Sequence, residues 1–116
     1  MSDREQVYQE VEITREEAET SIELANALDR LFMNEDFQKV ILNNFFEEEA
    51  KRLVMVQCDV AIRNNPVAVQ AVKDRIVAIG ELNQYFRNVK IDAQQKQRAL
   101  QDAEEYMAET EADLGE

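Results

Sequence analysis

Apolar and small residues recur along Asp3 to Phe32 at Val7, Val11, Thr14, Ala18, Ser21, Ala25, Leu28 and Phe32. The alternating steps of four and three lay them along one seam of a helix. Glu12, Glu16, Glu19 and Glu23 share the opposite face at the same spacing, which sets four negative charges side by side. Such a stripe reads either as a solvated face or as a surface for a basic partner. Thr14 followed by Glu17 is a capping-box pattern, which predicts an ordered start there and a looser lead-in over Val7 to Ile13. Asn34, with Glu35 and Asp36 behind it, is a good N-cap for a second helix bearing Phe37, Val40 and Ile41. The Asn43-Asn44 pair predicts a break near Asn44, after which Phe45, Phe46, Ala50, Leu53, Val54 and Val60 line another face. Between Asn64 and Pro66 a stop is followed by a start, because proline suits the first helical turn and disfavours helical geometry in Asn65.

From Pro66 onward only Gly80 interrupts a helical spacing carried by Val72, Ile76, Ile79, Phe86, Val89, Ala93, Leu100, Ala103 and Met107. One helix of about 40 residues follows, roughly 60 Å long. A small domain cannot cover so long a helix, so its second half, over 93–112, should project or pack on another chain. The seam Leu100, Ala103 and Met107 favours the second. The expected fold is all-α: a small helical bundle with a long C-terminal helix, one domain over 1–116, with 1–13 and 109–116 frayed.

Composition agrees with this. Among 116 residues only Gly80, Gly115 and Pro66 are strong turn formers. The formal charge is −12, so nucleic acid would be repelled by most of the surface. Residues 1–59 carry 6 basic and 15 acidic groups, 63–98 carry 7 and 3, and 99–116 carry 0 and 7. This division allows head-to-tail or antiparallel pairing between copies; equally, the basic part of the long helix can neutralise the acidic helix beside it. No apolar stretch approaches the roughly 20 residues of a membrane span, and Met1 to Glu10 lacks the regions of a secretory signal, so a cytosolic location is expected.

With no histidine, imidazole catalysis and histidine-containing metal motifs are excluded. Cys58 is the single cysteine; its apolar neighbours from Val54 to Ile62 point to a packing role. Two glycines 35 residues apart cannot build a phosphate loop. The run Glu47, Glu48 and Glu49 diverges around a helix and fits a solvated first turn better than a cation site. Tyr85, Phe86 and Arg87, with Lys73, Arg75 and Lys90, interleave aromatic and basic groups as single-strand binders do. A buried Phe86 under snorkelling basic side chains fits the spacing better. No catalytic, cofactor or metal residue is therefore assigned, and a non-enzymatic role is expected.

The segments Asn34-Glu35-Asp36-Phe37, Phe45-Phe46-Glu47-Glu48-Glu49-Ala50-Lys51-Arg52-Leu53-Val54 and Ile79-Gly80-Glu81-Leu82-Asn83-Gln84-Tyr85-Phe86-Arg87 resemble a family of small acidic tailed-bacteriophage proteins. The likeness covers roughly Asn34 to Val89. Members often have glycine where this chain has Asn44, which is compatible with the expected turn because asparagine tolerates left-handed geometry. The resemblance implies a phage origin and association with virion genes, in the host cytoplasm or the virion, and transfers no activity. The expected function is a structural or assembly protein acting by helix-mediated contacts, a homo-oligomer that also meets other virion proteins. Its partner surfaces would be Ala18, Ser21 and Ala25 and the seam Leu100, Ala103 and Met107. The alternative is an acidic inhibitor that blocks a basic nucleic-acid-binding surface of a host defence or transcription protein with Glu12, Glu16, Glu19 and Glu23.

Overall fold

The computed structural model describes residues 3–114, which form helices and short turns with no strand. The chain is all-α. Helix α1 spans Asp3–Phe32, α2 Glu35–Phe37, a π-helix Gln38–Glu49, α3 Ala50–Val56, α4 Val60–Arg63 and α5 Pro66–Leu114. Contacts sort these residues into two units, the first made of 3–27 and 88–114 and the second of 28–87.

Local chemistry sets most boundaries. At the end of α1 the amides of Met33 and Asn34 tighten onto the carbonyls of Arg30 and Leu31, and Gln38 Nε2 donates to the carbonyl of Phe32 at 2.7 Å. Asn34 caps α2 as expected, its side-chain oxygen accepting from the Phe37 amide at 2.9 Å. Asn65 does the same for α5, accepting from the amides of Val67 at 3.1 Å and Ala68 at 3.2 Å. Pro66 then occupies the first helical position, where its missing N–H costs nothing.

Two expectations about boundaries, the start at Thr14 and the break near Asn44, are corrected. Thr14 does not start α1: its hydroxyl donates back to the Glu10 carbonyl at 2.8 Å, a bond made inside a helix that is already running. Residues 3–13 and 109–114, where fraying is expected, lie within α1 and α5, and the Tyr8 hydroxyl donates to the Glu111 carboxylate. Residues 1, 2, 115 and 116, and with them Gly115, lie outside the described residues.

Nor is there a break at Asn44. The backbone is helical from Glu35 to Val56, and Phe37, Gln38, Glu49 and Ala50 at the junctions all have right-handed helical dihedrals. No described non-glycine residue has positive φ. Asparagine in a helix costs under about 0.7 kcal/mol. Burying adjacent Phe45 and Phe46, at up to about 1.5–3 kcal/mol each, outweighs that. The π-helix uses the wider i→i+5 bonding, which a search for 3.6-residue spacing does not detect. A break occurs instead at Gln57 to Asp59, where Asp59 caps α4 by accepting from the Ala61 amide at 2.9 Å.

Candidate protein-binding surfaces

In the first unit, residues 3–27 and 88–114 run antiparallel. Tyr8 bonds Glu111, Arg15 reaches Glu104 at 3.3 Å, and Ser21 Oγ donates to Asp92 Oδ2 at 2.8 Å. Ile22 and Ala25 border a small recess with Lys90, Ala93, Gln94 and Gln97. The seam of α1 is thus covered within the chain: Val11, Ala18, Ser21 and Ala25 are buried, Ala18 completely. Small side chains at Ala18, Ser21 and Ala25 permit close helix approach, and here they serve the chain's own hairpin. In this conformation Ala18, Ser21 and Ala25, expected as a partner surface, are buried within the chain. The residues 93–112 do not project from this unit either. Leu100, Ala103 and Met107 lie half-buried in the stretch paired with α1.

The Ser21 hydroxyl, assisted by Lys96 at 3.3 Å, holds the Asp92 carboxyl below the usual carboxylate range. A buried serine hydroxyl is thereby satisfied by a charged acceptor, which fixes the register of the pair.

Charge is concentrated in this unit. It holds 5 basic and 15 acidic side chains, against 8 and 9 in the second unit, so net charges of −10 and −1. The acidic tail 99–114 lies along the acidic start of α1, with Arg15 bonding both Glu12 at 3.1 Å and Glu104. Lys90 borders the recess beside Ile22 and Ala25 of α1, and Lys96 bonds Asp92 within α5 at 3.3 Å. Glu12, Glu16, Glu19 and Glu23 all face solvent.

The second unit is organised by aromatic and aliphatic packing. Leu53, Val72 and Ile79 are buried, with Phe45, Phe46, Ala50, Val56, Ile62 and Ile76 against them. Phe86 is buried and meets the rings of Phe32, Phe37 and Phe46 at centroid distances of 5.4, 5.9 and 6.1 Å, all edge-on or nearly so. Its ring is committed to this cluster, and of the Tyr85-Phe86 pair only Tyr85 is exposed.

The face of α3 departs from expectation. Leu53 is buried, yet Val54 is 52% exposed, Met55 71% and Val60 60%. Cys58, expected to pack, is exposed in the turn that ends α3, because stopping that helix at Val56 carries the cysteine off the buried face. Phe46, Glu47, Ala50, Lys51, Val54 and Met55 line a shallow recess of about 510 Å³. Its walls are mainly apolar, and one acid and one base stand at its rim.

Glu47, Glu48 and Glu49 occupy the end of the π-helix, not a first turn. Glu48 meets Lys51 at 3.7 Å, and Glu49 holds Arg52 with contacts of 2.5 and 3.0 Å. The hydrogen bond from Arg52 lowers the pKa of Glu49 and raises that of Arg52. Among the described residues no three potential metal-ligating side chains converge, and no helix is long and apolar enough to cross a membrane. No protein-family model matches the chain, and no curated protein or solved structure is significantly similar to it.

Proposed function

We propose that this chain is a non-enzymatic bacteriophage structural or assembly protein, a small helical bundle with a long C-terminal helix that acts through contacts with other protein chains. The observation that supports it is the open apolar face of α3, where Val54 and Met55 stand largely exposed beside Phe46. Apolar side chains clustered around a recess mark a protein-binding surface more often than a bare surface. The phage setting is supported by the likeness of residues 34–89 to small acidic phage proteins. On this reading the protein meets copies of itself and other virion proteins, in the host cytoplasm or in the particle, and needs no cofactor. Mass spectrometry of purified particles of the encoding phage is the test: the protein should be present at many copies, or be enriched in assembly intermediates, and its absence from both sinks the reading.

A second reading has its own support. The unit with net charge −10 carries Glu12, Glu16, Glu19 and Glu23 outward, as an inhibitor of a basic nucleic-acid-binding surface would. It requires binding to a basic host protein that weakens steeply with salt and is lost on changing the four glutamates to Gln.

A further inference from the structure

The hairpin of the first unit has two unlike halves. In its terminal half, residues 3–19 carry 7 acidic and 2 basic groups and the facing 99–114 carry 6 and 0. In its inner half, 20–27 with 88–98 carry 2 acidic and 3 basic groups in all. Packed helices run about 8–10 Å apart. That separation matches the screening length of about 8 Å at 0.15 M salt but lies well inside the roughly 30 Å at 0.01 M. As salt is withdrawn, the acids of the terminal half repel across the pair, and few bases offset them.

Packing opposes this repulsion weakly. The inner half of α5 buries Val89 and Ala93, whereas along 99–114 no residue is buried and Leu100, Ala103 and Met107 keep part of their surface in solvent. On α1 the terminal half buries Val11 and Ala18, small side chains that remove little apolar area from water. Both bases of this half stand at cross-helix contacts. Arg15 bonds Glu104, and the Arg4 guanidinium lies 5.7 Å from the ring centre of Tyr8, whose hydroxyl donates to Glu111. An end released from the pair has little to keep it helical, since Glu12 and Glu16, and Glu105 and Glu109, set like charges at i,i+4 spacing.

We propose that the terminal half of the hairpin, 3–19 with 99–114, is an electrostatic latch. Counter-charge in solution holds it shut, and it opens and loses helix as that charge is withdrawn. The inner half, joined by the Ser21–Asp92 bond and with Lys90, Lys96 and Arg98 among its acids, stays paired. Opening uncovers Val11 and Ala18, so the latch decides when the α1 seam is accessible. It is a property of the first unit alone and does not depend on the phage role.

Spin-label distances in the full chain test it, in a Cys58→Ser background to remove the exposed native thiol. One labelled pair, Gln6→Cys with Ala108→Cys, spans the terminal half, and a second, Asn26→Cys with Gln95→Cys, spans the inner half; all four positions are exposed. At about 0.15 M salt both pairs should give one short distance. At about 0.01 M the short-distance fraction of the terminal pair should fall at least about twofold, with a parallel loss of helical circular dichroism, while the inner pair is unchanged. Replacing Glu16, Glu19, Glu105 and Glu109 by Gln should keep the latch shut at low salt. Arg15→Gln, which removes the bridge to Glu104, should open it at the higher salt. A terminal distance indifferent to salt, opening that the four Gln changes do not prevent, or an inner pair that opens equally would each overturn the proposal. The second of these outcomes would assign the opening to thin packing alone, and the third to general unfolding.

Discussion

Replacing Phe86 by Ala tests whether the second unit depends on its aromatic cluster. The ring is 9% exposed and contacts three other rings edge-on. Removing a buried phenylalanine side chain costs about 3–5 kcal/mol, covering both lost transfer energy and the cavity left behind. Edge-to-face contacts are worth about 0.5–1.5 kcal/mol each beyond burial, but Phe32 and Phe37 also stack on each other at 5.6 Å and keep that contact, so the losses do not simply add. A net loss of about 4 kcal/mol is expected. With a urea m value of about 1.5 kcal/mol/M, the midpoint falls by more than about 2 M. Phe86→Leu keeps most of the volume and should lose under about 1.5 kcal/mol. Phe46 is only half-buried and borders the open recess, so Phe46→Ala should cost less than Phe86→Ala. Urea titration followed by circular dichroism gives the order. A loss below about 1 kcal/mol for Phe86→Ala, or a larger loss for Phe46→Ala, would refute the reasoning that burial within this cluster sets the energy.

Changing Glu12, Glu16, Glu19 and Glu23 together to Gln should leave the fold intact and raise stability slightly, by tenths of a kcal/mol per relieved like-charge pair; thermal melts at low salt would show it, and added salt should narrow the difference from the unmodified chain. Asp92 titrates below the usual carboxylate range, so its bond to Ser21 stabilises the fold above the ordinary value of about 3.9 and is lost as pH falls through the lower folded value. In Ser21→Ala the carboxyl should titrate at higher pH in an NMR titration. Gly80 is helical and exposed with open space where a Cβ would go, so Gly80→Ala should stabilise by about 0.5–1 kcal/mol in a urea melt. A chain ending at Lys96 loses Glu104 and Glu111, the partners of Arg15 and Tyr8. Circular dichroism should then show more helix lost than the deleted residues carried, because the start of α1 unpairs.

Local sequence chemistry determined the all-α class and several helix ends. Asn34 and Asn65 each carry a side-chain acceptor at the position where free amides need one, and that requirement depends on no distant residue. The long helix from Pro66 is also legible, since nothing but Gly80 interrupts its spacing. The partner of each apolar seam is not a local property. Ala18, Ser21 and Ala25 show in sequence only that one face of α1 permits close approach. That the stretch carrying Leu100, Ala103 and Met107 runs antiparallel to α1 in the same chain is decided by contacts between residues more than 70 positions apart, such as Ser21 with Asp92. The same limit applies to α3. Leu53, Val54, Met55 and Cys58 are all apolar or weakly polar, and composition cannot say which of them faces the core. The π-helical bonding ahead of Ala50 and the stop at Val56 together determine the rotation of that short helix. They leave Leu53 buried, and Val54 and Met55 in solvent. That rotation depends on how Phe45 and Phe46 pack against α5, a tertiary contact that spacing along the chain does not contain.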